Sequence, residues 1–208
     1  STTGQLAYEL AQRSQLQFIL PVTDKYRIRT IRDSLQSTGL YGNRIMVVPW
    51  SYEELPDYFA NLVVSESLVL QPGITAPAAE IARVLRPAGG IALLGSPTQS
   101  GIAAIVRRWT RGSSLPTPDT NTDQGNWVHF TRGKLEGAGT WNGLYGDAGN
   151  TGSSPDELVK GPLGVLWFGE PGSEHMLDRH ARAVSPLAVN GRLFVQGMEV
   201  VMGYDAYN

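Results

Sequence analysis

The sequence predicts an α/β protein with a doubly wound, mainly parallel sheet, followed by a β-rich antiparallel segment. Two observations favour the first part. Short apolar runs alternate with amphipathic helical stretches as far as about residue 110, and those runs are apolar throughout rather than at every second position. A third observation marks where this pattern ends and turn-rich sequence begins: 16 of the 24 glycines lie after residue 110. Frequent turn residues between β-forming runs are typical of antiparallel strands.

The helices and strands of the first half follow from spacing and capping residues. Leu6 and Leu10 repeat at helical spacing and predict a first helix over 4–14. Asp24 can cap a second helix, which Gly39 ends. The remaining predicted elements are strands at 16–20, 44–48, 61–65 and 89–95, a short turn that opens with the capping box Ser51–Glu54, a helix that ends at Pro87 and a last helix around 102–109.

Apolar strands that alternate with helices are typical of a parallel sheet covered on both faces. Ligands of such sheets bind beyond the carboxyl ends of the strands. At that edge the sequence places several prolines and the bulky Trp50, which follows Pro49. We therefore expect a shallow or blocked cleft there.

The composition excludes several classes of protein. Hydrophobic residues make up 41% of the 208 residues, which is sufficient for a core, but no run approaches the roughly 18 apolar residues of a membrane span. A net charge of −2 gives no electrostatic basis for nucleic-acid binding. The absence of cysteine excludes disulfides and thiolate zinc sites. The first residues lack the basic start and apolar middle of a signal peptide.

A polar stretch separates the two halves of the sequence. Residues 111–126 contain two prolines and no apolar period, and they predict a linker or long surface loop. The domain organisation predicted is thus 1–110, a linker at 111–126, and 127–208.

The segments "GLYGNRIMVV", "LPDYFANLVVSE" and "EIARVLRPAGGIALLG", in that order, resemble a class I S-adenosylmethionine-dependent methyltransferase with its Rossmann-like fold. In the most specific piece, "RVLRPAGG" (83–90), we expect Arg83 and Arg86 to face solvent. Pro87 stops the helix, and Gly89 and Gly90 permit the turn into a strand. The motif therefore indicates the fold and supplies no catalytic residue.

The methyltransferase resemblance implies four positions for S-adenosylmethionine: Gly4 at the end of a glycine loop, Asp24 and Ser51 after the second and third strands, and Glu66 after the fourth. Each also has a structural interpretation. Asp24 and Ser51 are suited to capping helices, and Glu66 to a solvated loop. The family's first strand is absent, and Val22 stands where its ribose-binding acid is usual. The resemblance thus implies either a non-catalytic domain or a methyltransferase whose cofactor loop is only partly in this chain.

The segments at 139–168 and 185–208 resemble the repeat of quinoprotein-type β-propellers, as in PQQ-binding dehydrogenases and a lipoprotein of outer-membrane assembly. We expect a strand at 163–168, an Asx-type turn at 150–152 and a hairpin of 191–197 with 199–204. Trp141 and Trp167 would pack between blades. One repeat cannot supply the many blades of a PQQ site, so we expect no PQQ here.

The propeller resemblance also implies partners and a compartment. The expected partners are the remaining blades, in a longer chain or another protein, and self-association through an uncovered apolar face is a further expectation. Partner blades and self-association are both expected of a structural or interaction module in an envelope or periplasmic protein. A cluster at 174–180 contains two histidines and two carboxylates, but its spacing favours a solvated loop, and we predict no metal site.

Overall fold

The computed structural model describes residues 3–66, 76–96, 101–116, 119–121, 126–165, 169, 174–177 and 184–207. These residues form a mixed α/β fold. The first half contains α1 (Gln5–Arg13), β1 (Phe18–Pro21), α2 (Lys25–Gln36), β2 (Ile45–Val48), a 3₁₀ helix (Tyr52–Glu54), β3 (Leu62–Ser65), α3 (Ala78–Val84), β4 (Ile91–Ser96) and α4 (Ile102–Trp109). The rest contains β5 (Asp119–Asn121), β6 (Asn126–Thr131), β7 (Leu187–Val189), β8 (Arg192–Gln196) and β9 (Val201–Asp205). The predicted alternation of helix and strand is confirmed.

The strands of the first half do not form one parallel sheet in the described residues. β1 and β2 pair in parallel, with Phe18 opposite Ile45, whereas a second sheet has the order β3-β4-β6-β5. In that sheet β5 and β6 are antiparallel, because only a few residues connect them and a parallel pair needs a long crossover. The sequence analysis did not predict β5, which lies inside the segment interpreted as a linker.

The core around β2 explains the helical spacing of the first half. Residues of α1 and α2 that recur on one helix face are buried with two residues of β2, and they form one cluster: Ala7, Ala11, Ile28, Ile31, Leu35, Ile45 and Val47. An apolar stripe of this width needs a covering surface, and here the two helices and the strand cover one another.

The chain divides into two compact units. The first comprises residues 1–57, 63–84 and 92–130, and the second comprises 58–62, 85–91 and 131–208. The second unit thus draws on three separate pieces of the chain. The predicted domain organisation, with domains at 1–110 and 127–208 and a linker at 111–126, stays a prediction.

In the second unit, the "RPAGG" turn is tightly packed. The amide of Gly90 donates to the carbonyl of Arg86 at 3.0 Å, and a Cβ on Gly90 would lie 2.4 Å from that same oxygen. Ala88 and Gly89 both have positive φ, at 57° and 127°. Only glycine fits at position 90, and the turn explains why the motif ends in two glycines.

The expected exposure of Arg86 is wrong. Its residue surface is only 8% exposed, and its guanidinium forms an ion pair with the carboxylate of Asp205. The Nε atom of Arg86 is buried without a partner among the described residues. A buried cation requires a paired anion, and the chain supplies it at the end of β9. The expectation for Arg83 is also wrong, because it is only partly exposed and donates to the carbonyls of Leu55 and Tyr52.

The predicted hairpin is confirmed as β8 and β9, which pair antiparallel with Phe194 opposite Gly203. β7 adds a third strand on the other side of β8. Residues 163–165 form no strand and are exposed, while the remainder of the predicted strand 163–168, with Trp167, lies outside the described residues. β-forming residues make a strand only where a partner strand pairs with them.

The turn predicted at 150–152 is built differently. Asp147, rather than Asn150, makes the Asx-type turn: its carboxylate accepts from the amides of Gly149 at 2.9 Å and Thr151 at 3.3 Å. Asn150 instead adopts a left-handed conformation, with φ 53°. A carboxylate accepts hydrogen bonds more strongly than an amide oxygen, so Asp147 takes the role.

Candidate functional site

The carboxyl edge of the β1–β2 sheet is the part of the first unit where a ligand was expected. Both strands are parallel, so Asp24 after β1 and Ser51 after β2 follow the same edge. Asp24 is the N-cap of α2, and its Oδ1 accepts from the amide of Arg27 at 2.8 Å. The structural interpretation of Asp24 is therefore the one that the geometry supports.

Ser51 has a structural role as well. It precedes the 3₁₀ helix in a capping box, and its amide donates to the Glu54 carboxylate at 2.7 Å. The carboxylate of Glu53 accepts hydrogen bonds from its own backbone amide and from the side chain of Ser51, and these keep the pKa of Glu53 below its usual value. The polar groups of this loop thus satisfy one another.

Gly4 provides close packing at the start of α1. It has φ 80°, and a Cβ there would lie 2.9 Å from Cγ2 of Ile31. Its carbonyl accepts from the amide of Tyr8 at 3.0 Å, which begins the helix. A left-handed conformation next to a buried isoleucine is sufficient reason for a glycine at this position.

Glu66 directly follows β3 and is half-buried. Trp50, which was expected to fill space at the sheet edge, is 39% exposed. The assignment of Gly4, Asp24, Ser51 and Glu66 to a cofactor remains a prediction. Three of the four have a clear structural function, so the residues present do not fit a nucleoside cofactor well.

A cavity of about 420 Å³ opens on α2, and sequence analysis did not identify it. We call it the basic groove, and its lining residues are Lys25, Ile28, Arg29, Arg32, Asp33 and Pro49. None of the four predicted cofactor residues lines it. The signal was present in the sequence, because three cations at positions i, i+4 and i+7 share one helix face.

The second unit contains no group of three metal-ligating side chains among its described residues. Of the cluster at 174–180, only Glu174 and His175 are described, while Asp178 and His180 lie outside. The carbonyl of His175 accepts from the amide of Met198 at 2.9 Å, and Met176 bridges to Gly197. This segment therefore pairs with the hairpin.

One face of the three-stranded sheet carries exposed apolar side chains among polar ones. We call it the outer face, and the register places on it Leu187, Val189, Arg192, Phe194, Gln196, Val201, Gly203 and Asp205. Val201 is 72% exposed and Phe194 38%. The ring of Phe194 lies 3.6 Å from where a Cβ of Gly203 would be, so the ring covers the glycine across the strands. The exposed apolar groups on adjacent strands make this face a candidate interaction surface.

Comparison with known proteins gives partial similarity to solved structures. No protein-family profile and no curated protein matches the sequence. Among solved structures, the chain is similar to the [4+2]-cyclase SpnF, with 18% identity, TM-score 0.46, and coverage of 60% of this chain and 53% of that one. It is also similar to a putative sarcosine dimethylglycine methyltransferase from Galdieria sulphuraria, with 19% identity, TM-score 0.40, and coverage of 45% and 36%.

A further similarity is to a possible exported protein from Bordetella parapertussis, with 10% identity, TM-score 0.40, and coverage of 56% of this chain and 53% of that one. The chain thus spans about half the length of SpnF and of the exported protein, and about a third of the putative methyltransferase. Among the described residues, no helix is long and apolar enough to cross a membrane.

Proposed function

We propose that this chain is a non-catalytic, methyltransferase-like module that acts in protein–protein interaction within a larger assembly of the cell envelope. The observation that carries the proposal is the outer face, where Phe194 and Val201 leave apolar surface on a regular antiparallel sheet. Sheet faces with exposed apolar side chains pack against other sheet faces in β proteins. The partner that fits is a neighbouring β-propeller blade, in a longer chain or in another protein.

The residues implied for S-adenosylmethionine support the non-catalytic part of this proposal. The ribose position needs a free carboxylate, but Asp24 is the cap of α2, and Val22 has no polar side chain. Ser51 is part of a capping box, and Gly4 packs on Ile31. Groups already satisfied by the protein gain little from a ligand.

Calorimetric titration with S-adenosylmethionine and S-adenosylhomocysteine tests this part. We expect no binding heat and no shift of the melting temperature. A ligand at 100 times its Kd would stabilise the fold by about 2.7 kcal/mol, which a melting curve detects. Micromolar binding that Asp24→Ala weakens at least tenfold would instead support the alternative function, a methyltransferase with an unassigned methyl acceptor.

Sedimentation over a range of concentrations tests the interaction part. We expect the wild-type chain to self-associate through the outer face, and the double variant Phe194→Ser, Val201→Ser to be monomeric. Val159→Ser is the matched control, because Val159 is 68% exposed and belongs to none of the three strands. A wild-type chain that stays monomeric at high concentration would contradict the proposal. So would a Val159→Ser variant that loses self-association to the same extent as the double variant.

A further inference from the structure

The basic groove has features of a ligand site in the first unit. Its volume of about 420 Å³ lies within the usual range for small-molecule pockets. It reaches the carboxyl edge of the β1–β2 sheet at one end, because Lys25 begins α2 and Pro49 directly follows β2. Ligands of α/β sheets gather at this edge.

The charges of the groove favour an anion. Three cations and one carboxylate line it, and no described partner is bound to the side chain of Lys25 or of Arg29. Arg32 is held in place by a bond from its Nη2 to the carbonyl of Val47 at 2.7 Å, and its buried Nε has no partner among the described residues. Cations that the protein leaves uncompensated in a cavity attract anionic ligands.

The spacing of the cations indicates more than one anionic group. At a rise of about 1.5 Å per residue, Lys25 and Arg29 lie about 6 Å apart along the helix, and Lys25 and Arg32 about 10 Å apart. One phosphate is too small to bond all three. The side chain of Ile28, which is 8% exposed, and the ring of Pro49 add an apolar wall between them.

We propose that the basic groove binds a small ligand that has a diphosphate or two adjacent anionic groups attached to an apolar body. The anionic groups bond Lys25, Arg29 and Arg32, and the apolar body lies on Ile28 and Pro49. Asp33 repels the anion from its end of the groove and so fixes the orientation. This proposal is independent of the interaction proposed for the outer face, which lies in the other unit.

Calorimetry with three probes tests it: inorganic phosphate, pyrophosphate and dimethylallyl diphosphate. We expect affinity to rise in that order, with the last binding at submillimolar Kd and weakening as NaCl rises from 50 to 500 mM, by screening of the charges. None of the probes contains a nucleoside, so their binding is separate from that of S-adenosylmethionine.

Variants locate the binding. Lys25→Gln and Arg29→Gln should each weaken dimethylallyl diphosphate binding about tenfold, the usual value of one charge-assisted hydrogen bond. Asp33→Asn should strengthen it severalfold. The control is Arg107→Gln on α4, which should leave the Kd unchanged. All the altered side chains are exposed, so unchanged circular dichroism and melting are expected.

Phosphatidic acid vesicles, compared with phosphatidylcholine vesicles, distinguish a lipid headgroup from a free diphosphate. The proposal is overturned if none of the soluble probes binds, if binding occurs to phosphatidic acid vesicles alone, or if Arg107→Gln weakens binding as much as Arg29→Gln does. It is also overturned if inorganic phosphate binds as tightly as dimethylallyl diphosphate, because the paired anions and the apolar wall would then contribute nothing.

Discussion

Replacing Asp205 with alanine should strongly destabilise the second compact unit. The side chains of Asp205 and Arg86 are only 12% and 10% exposed, so their ion pair is largely removed from water. The same carboxylate accepts from the amide of Tyr207 at 3.0 Å and lies 3.3 Å from the guanidinium of Arg192. Truncation would leave the guanidinium of Arg86 buried and uncompensated.

The expected magnitude follows from that burial. Removing one partner of a buried pair costs about 3–5 kcal/mol, whereas exposed pairs contribute about 0–1 kcal/mol. The side chain of Arg192 is 54% exposed, so we expect its ion pair with Asp205 to contribute in the lower of these two ranges. We expect a loss of about 3 kcal/mol, which corresponds to a fall of roughly 6–12 °C in melting temperature for a chain of this size.

Urea unfolding measures the loss, and Asp57→Ala is the control. Asp57 also pairs with an arginine, Arg83, but its side chain is 53% exposed, so we expect a loss of under about 1 kcal/mol. The double variant Arg86→Met, Asp205→Leu should recover most of the stability, because no unpaired charge remains. Equal losses for Asp205→Ala and Asp57→Ala would refute the reasoning.

Three further predictions concern single positions. Gly90→Ala should cost about 3 kcal/mol or more in urea unfolding, because its Cβ would lie 2.4 Å from a backbone oxygen, whereas Gly133→Ala, with open space around it, should cost little. Burial raises the pKa of Tyr52, so the folded state keeps a proton that the unfolded state loses near pH 10. The stabilisation that the protonated Tyr52 contributes is therefore present below pH 10 and is lost above it. Tyr52→Phe should reduce the loss of stability at alkaline pH. Tyr26→Phe should leave that loss unchanged, because Tyr26 is 86% exposed. Asp24→Ala should destabilise α2 by about 1 kcal/mol through loss of its cap, and an unchanged unfolding midpoint in urea would show that the cap contributes nothing.

Local patterns were sufficient to predict most elements of the first half. The buried face of α2 follows from the spacing of Ile28, Ile31 and Leu35, and its start follows from Asp24. These features depend on neighbours within one or two helical turns, which a single sequence displays directly.

Partners distant in the chain were not predictable in the same way. Arg86 was expected in solvent because a cation on a helix end is usually exposed, and nothing near it in sequence shows the carboxylate of Asp205. Residues 163–165, the described part of a strand predicted from β propensity, belong to no strand. Strand pairing depends on which segments meet, and propensity alone does not determine that.

Among the candidate sites, too, local features were predictable and features that join distant segments were not. Capping by Asp24 and Ser51 was visible as a structural alternative because caps are local. The basic groove was not predicted, because it is formed by α2 together with Pro49, which follows β2 and is distant from α2 in the sequence. A cavity is a property of two or more elements together.

The composition of the second unit from residues 58–62, 85–91 and 131–208 has a consequence for how it folds during synthesis. The pair Arg86–Asp205 joins positions 119 residues apart, so it cannot form before nearly all of the described chain has been made. Closing so long a loop is slow, since contacts of high sequence separation delay folding. On the ribosome, the guanidinium of Arg86 therefore stays without its anion until β9 has been made, and a fragment that begins at residue 127 lacks two of the three pieces of this unit.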